Sequence, residues 1–181
     1  MAKTHFLVVN GYGCHSDTPL GWTYLPKIVC FIQKQRPDYI ILCGGFTQRK
    51  SAPGVSEARL MFDFIDSHYS GALGFILEED SYTSLENIRN AAQRIRERGD
   101  RRVEITIFCE ATRALSVVWL ARRFMSDLVE SIDDIIVETA SWERADPFKQ
   151  VWKMIYNRFA ARFPHLARRE RKRRIRRAEQ I

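Results

Sequence analysis

Five short apolar runs, each separated from the next by an amphipathic stretch, constrain the fold of this chain more than any other feature. The runs, rich in Ile, Val, Leu and Phe, cover residues 5–9, 39–43, 73–77, 103–108 and 135–138. Between them lie helical patterns. Residues 24–36 set Leu25, Ile28, Val29 and Ile32 on one stripe and stop at Pro37. Residues 57–68 do the same with Ala58, Met61, Phe62 and Ile65, and residues 85–98 with Leu85, Ile88, Ala92 and Ile95 before Gly99, a favoured C-cap. Residues 112–125 supply Leu115, Val118 and Trp119. Strands alternating with helices of this length require right-handed crossovers, and hence a mainly parallel sheet covered on both faces. The runs lack polar alternation, as burial on both faces demands. The pattern predicts a three-layer, doubly wound, Rossmann-like α/β fold of about five strands.

A last pattern, residues 146–163, is predicted as a terminal helix opened by Asp146-Pro147, with Val151, Ile155, Phe159 and Phe163 recurring every four residues for packing on the sheet or on a partner. Trp22, Trp119, Trp142 and Trp152 are expected to be packing residues. The organisation expected is one α/β domain over 1–164 and a basic C-terminal tail over 165–181. The net charge is +7, but residues 168–181 hold seven Arg and one Lys against two Glu, a net of +6, which leaves the globular part nearly neutral. The tail's arginines, from Arg168 to Arg177, either solvate a helix end or meet an anionic partner such as nucleic acid, with binding that would weaken with salt.

Hydrophobic residues make up 45% of the chain, enough for a core without disulfides. Cys14, Cys30, Cys43 and Cys109 show neither C-x-x-C nor zinc-ligand spacing and are expected as free thiols of a reducing compartment. The opening MAKTHFLVVNGYG lacks the roughly 20 apolar residues of a membrane helix. A cytoplasmic location is therefore expected, and no metal site.

In open α/β sheets ligands bind beyond the carboxyl ends of the strands. The loops of that edge are NGYGCHSD from Asn10, GGFTQRKSAPGVSE from Gly44, EEDSYTSLEN from Glu78 and CEATR from Cys109. The opposite edge holds ordinary connectors. Thr83 and Glu86 fit a capping box, which alone can explain both, but capping leaves Glu79, Ser81 and Asn87 without a task. Gly44-Gly45 reads either as a strand-end turn or as room for a ligand against the backbone. The GxG of Asn10-Gly11-Tyr12-Gly13 is a weak match to a dinucleotide fingerprint, and His15 beside Cys14 favours a surface role over a dyad.

Taken in order, Gly44-Gly45 after an apolar strand, Ser56-Glu57 opening a helix, the acid at Glu78 or Glu79, and Ser81, Ser84, Glu86 and Asn87 in an S-x-x-S-x-E-N entry resemble the family of the ElyC, SanA and YdcF proteins, over roughly residues 5–125. Where that family carries T-S-x-x-H-x-x-R-A, this chain reads TIFCEATRA, so Glu110 or Arg113 stands in the histidine's place. The arginine usual after the first loop is also missing, with Lys27 the nearest cation. The resemblance implies an enzyme-like domain, associated in parts of the family with cell-envelope precursors, with S-adenosylmethionine among the ligands proposed for it.

The expected site joins Glu57 and Glu86 as catalytic carboxylates to Asn10, Gly11, Gly44, Gly45, Ser56, Glu79, Ser81, Ser84, Asn87, Glu110 and Arg113 as ligand-binding groups, with Arg49 or Lys50 available for phosphate. Carboxylate, amide, hydroxyl and guanidinium together suit a nucleotide-like or phosphorylated small molecule, bound by an enzyme or by a non-catalytic sensing domain.

Overall fold

The computed structural model describes residues 2–11, 13, 19–47, 52–140 and 147–180. Five parallel strands, β1 (Thr4–Asn10), β2 (Tyr39–Cys43), β3 (Gly74–Glu78), β4 (Val103–Glu110) and β5 (Ile135–Ala140), form one sheet in the order β3-β2-β1-β4-β5. This is the doubly wound arrangement expected. The chain moves outward from β1 through β2 to β3, then crosses to the other side of β1 for β4 and β5. The reversal leaves a switch point between β1 and β4, where the following loops part.

Alternation along the central strands builds two cores. Phe6 and Val8 of β1, with Ile105 and Ile107 of β4, enter one core; Leu7 and Val9, with Phe108, enter the other. The first core is closed by α3 (Ser84–Arg98) and α4 (Ala114–Met125), the second by α1 (Pro19–Gln35) and α2 (Glu57–His68). α1 begins before the predicted residue 24, since Pro19 suits a first helical position. Its Tyr24 is fully buried, and the hydroxyl donates to the carbonyls of Asn10 (3.0 Å) and Phe108 (3.2 Å), which pins β1 and β4 beside the switch point.

The helix ends follow local chemistry. Ser56 caps α2 by accepting the Arg59 N–H at 2.9 Å, and Thr83 caps α3 by accepting the Glu86 N–H at 3.2 Å. Gly99 ends α3 in the left-handed region at φ 74°. α4 starts two residues later than predicted because Ala111–Arg113 form a 3-10 turn.

α5 (Pro147–Arg162) and α6 (Pro164–Ala178) complete the described chain. α5 turns Tyr156, Ala160 and Ala161 to the core, where small residues allow close approach, and leaves Val151, Ile155 and Phe159 exposed, as is Phe163 just beyond it. The predicted stripe thus does not pack on the sheet. Trp119 packs against the core as expected, but Trp152 is 73% exposed. The segment read as a tail is helical. Leu166 and Ala167 of α6 join the core, and the Tyr156 hydroxyl donates to the Leu166 carbonyl at 2.9 Å.

Candidate functional site

Register brings the strand ends to one level, because Asn10 pairs with Cys43 and Cys43 with Glu78. Beyond them the glycines prolong the ladder: Gly11 N–H donates to the Cys43 carbonyl (2.6 Å), Gly44 N–H to Glu78 (2.9 Å) and Gly45 N–H to Ser81 (2.7 Å). Gly45 and Gly44 in turn accept the N–H groups of Glu57 and Ala58 at 3.0 Å, locking the start of α2 onto the rim.

Glu57 is therefore carried over the ends of β1 and β2. A Cβ on Gly11 would lie 2.4 Å from its Oε2, and one on Gly44, whose φ is 155°, 2.7 Å from its Cβ. The paired glycines make room for this carboxylate, with no side chain between it and the backbone. The Thr47 hydroxyl and the Gly13 N–H donate to it. Burial pushes its pKa above the ordinary 4.5, against the lowering pull of Thr47, Gly13 N–H, Arg113 and Arg174. The unfolded chain releases this proton near the ordinary value and the folded chain only above it. In that window the folded state binds more protons, so stability falls as pH rises from 4.5 through the raised value. Glu78, raised mainly by burial, acts in the same direction. Urea unfolding across pH 4 to 8 should show this decline, shallower in Glu57→Gln; an identical slope in that variant would mean a solvated carboxylate.

The remaining acids are held in pairs. Glu78 accepts the Ser81 hydroxyl, the Asp80 N–H (3.0 Å) and the Asn90 amide (3.0 Å). Ser56 donates to Glu79 at 2.6 Å. Glu110, 3% exposed, accepts both the N–H (2.9 Å) and the hydroxyl of Thr112. Glu86 does not return to Thr83 as a full capping box requires: its Oε2 accepts the Tyr82 N–H (2.9 Å) and its Oε1 pairs with Arg171 of α6 (3.0 Å). Arg171 also donates to the Asp80 carbonyl at 2.7 Å and lies over the Tyr82 ring. Asn87 is buried, with its N–H on the Thr83 carbonyl.

Asn10 differs from all of these. It is fully buried at the end of β1, and neither its side-chain nitrogen nor its side-chain oxygen has a hydrogen-bond partner among the described residues. An orphaned buried amide costs about 1–3 kcal/mol per group, so its retention calls for a reason. Alternation with Phe6 and Val8 puts it on the face of α3 and α4.

On that face, Thr83 and Ser84 at the start of α3, Thr112 and Arg113 before α4, and Lys153, Glu170, Arg173 and Arg174 of α5 and α6 line a cleft of ≈690 Å³. Its apolar wall includes Leu115, Trp152, Ile155 and Phe159. Arg113 reaches the Ser84 hydroxyl at 3.4 Å, and its charge also bears on Glu57. Arg113 thus links the cleft to the Glu57 cradle; Asn10, Glu57 and Glu86 themselves do not line the cleft. Desolvation and the charges of Arg113, Arg174 and Arg177 lower the Lys153 pKa, with Glu170 opposing. A larger hollow of ≈810 Å³ runs along the outward face of α6 and, among the described residues, is lined by that helix and by Gln180 just past its end, which makes it a surface groove.

Burial raises the thiol of Cys43 well above its ordinary value and that of Cys109 to about 12, so neither is a nucleophile at neutral pH. Among the described residues, Cys30, Cys43 and Cys109 are free, and no group of His, Cys, Asp and Glu could hold a metal. No described helix is long and apolar enough to cross a membrane. Tyr12, Cys14, His15, Arg49, Lys50, Trp142, Asp146 and the Trp22 side chain lie outside the described residues.

Sequence reasoning missed Lys153, Arg171 and Arg174. The one signal for the last two is that Ala167, Arg171, Arg174 and Ala178 fall on a single helical face, where Ala178 is buried. Comparison of the chain with family models, with curated proteins and with solved structures finds no match.

Proposed function

We propose that this chain is a small-molecule-binding α/β domain of the ElyC/SanA/YdcF type, which takes a nucleotide-like or phosphorylated ligand at the carboxyl edge of its sheet. The observation that carries this is the gathering of Arg113, Lys153, Arg173 and Arg174 in one cleft beside the first turn of α3, where Glu170, paired with Arg173 (3.8 Å) and Arg174 (3.1 Å), offsets only part of their charge. Like charges so placed repel one another, and a bound phosphate relieves the repulsion. The helix start adds its own preference for anions. The apolar wall formed by Leu115, Trp152 and Phe159 suits a base or another flat apolar group. This charge pattern favours a phosphate over S-adenosylmethionine, whose sulfonium and amine are cationic.

The enzymatic reading rests on Glu57, a buried carboxylate with a raised pKa within the field of Arg113. Glu86, already paired with Arg171, serves the rim's architecture. Calorimetric titration with pyrophosphate, ADP and S-adenosylmethionine tests the proposal. The first two should bind, and the double variant Arg113→Ala/Arg174→Ala should lose affinity by about tenfold or more. Unchanged affinity in that variant removes the phosphate site. Given a bound ligand, turnover that disappears in Glu57→Gln supports catalysis, whereas binding without turnover supports a sensing domain.

A further inference from the structure

We propose that α5 and α6 together form a docking surface for an anionic phospholipid membrane. The apolar half of that surface is the stripe left exposed among the described residues: Val151, Ile155, Phe159 and Phe163 recur at i, i+4 spacing, with Trp152 beside them. Trp152 is 73% exposed and Phe159 55%, far more than their size favours in water. Arg158 and Arg162, both exposed, flank the stripe on the same helix.

The cationic half is the outward face of α6. Arg168, Lys172 and Arg176 stand at i, i+4 and i+8, all exposed, and carry no ion pair among the described residues. The opposite face of α6 is spent on the rim, through Arg171 on Glu86 and the buried Ala178. Arg173 borders both the outward groove and the cleft walled by Trp152 and Phe159, so the two halves are continuous.

An anionic bilayer satisfies both halves at once. Aromatic and aliphatic side chains enter the headgroup boundary while arginines and lysine meet lipid phosphates. A second copy fits less well, because pairing the stripes would bring two cationic α6 helices together. Nucleic acid would neutralise α6 but leave Val151 and Ile155 in water.

Sedimentation of the full chain with vesicles tests this, using phosphatidylcholine alone and phosphatidylcholine with roughly one-third phosphatidylglycerol. Binding should be at least about tenfold tighter to the anionic vesicles and should weaken with added salt. Each cation contributes about fivefold, so Arg168→Glu/Lys172→Glu/Arg176→Glu should lower affinity by about a hundredfold or more. Trp152→Ala/Phe163→Ala, at exposed positions, should lose about tenfold, while Trp152→Phe/Phe163→Leu should retain binding. Full-strength binding by the alanine pair overturns the proposal, leaving charge adsorption alone. So does a dimer that the alanine pair dissociates, or duplex RNA that binds both forms equally and displaces the vesicles. Arg168, Lys172, Arg176 and Phe163 do not line the small-molecule cleft, whereas Trp152 does, so Phe163→Ala alone, which should also weaken vesicle binding, separates a failure of this proposal from a failure of the cleft.

Discussion

Arg171→Ala is expected to destabilise the chain by about 2 kcal/mol and to loosen α6 from the sheet edge. Glu86 is 5% exposed on its side chain, and Arg171 supplies the only cation in contact with it among the described residues. Removing the guanidinium leaves a buried carboxylate with the Tyr82 N–H as its remaining described hydrogen bond, and strips a donor from the Asp80 carbonyl. Arg171 itself is 36% exposed, so water can screen part of the loss, which keeps the figure below the roughly 3–5 kcal/mol of a fully buried pair. The charge is the cause, so neutralising it first should shrink the effect: in a Glu86→Gln background the same substitution should cost about 1 kcal/mol. Urea unfolding gives both differences. Trypsin gives the local one, because a loosened α6 unwinds more often and lets the protease reach the backbone beside its arginines before the sheet unfolds. Equal cleavage rates in the variant and the parent chain would mean that α6 is held by its other contacts, Leu166, Ala167 and Ala178, without help from Arg171.

The same contact explains which parts of the molecule could be read in advance. Interior strands buried on both faces must be apolar throughout, so β1, β2 and the body of β4 stood out. Their polar ends did not. Glu110 extends β4 beyond the apolar run and Thr139 extends β5, polar residues that no apolar pattern marks, although Cys109 and Ala140 beside them pack into the cores. The caps Ser56, Thr83 and Gly99 were legible because their chemistry is local to a turn. Local chemistry also explains the half-failure at Glu86, where a capping box competes with a partner 85 residues away that no local pattern reveals. In an arginine run every position looks alike. Only three-dimensional packing separates Arg171 and Arg174, which face the rim, from Arg168, Lys172 and Arg176, which face outward. Trp152 misled for the opposite reason: bulk and apolarity predict burial, yet its side chain is left in the open on α5.

The steepest loss is expected from Gly11→Ala, about 3 kcal/mol for the addition of one methyl group. The new carbon would sit 2.4 Å from Glu57 Oε2 and 2.7 Å from the Cys43 carbonyl oxygen, both well inside van der Waals contact. These two neighbours yield differently. The carboxylate is a side-chain end and can swing away, at the cost of its bonds from Thr47 and Gly13. The carbonyl cannot, because it accepts the Gly11 N–H at 2.6 Å and belongs to a strand paired on both sides. Adding Glu57→Ala should therefore recover only about 1 kcal/mol of the penalty, with the backbone clash left in place. Urea unfolding of the parent, the two single variants and the double variant measures that coupling. Complete recovery would mean that the β1 and β2 ends can part to admit a side chain. In that event the rim would be a pliable edge, and the tight seat of Glu57 over Gly11 and Gly44 could not be what tunes its proton affinity.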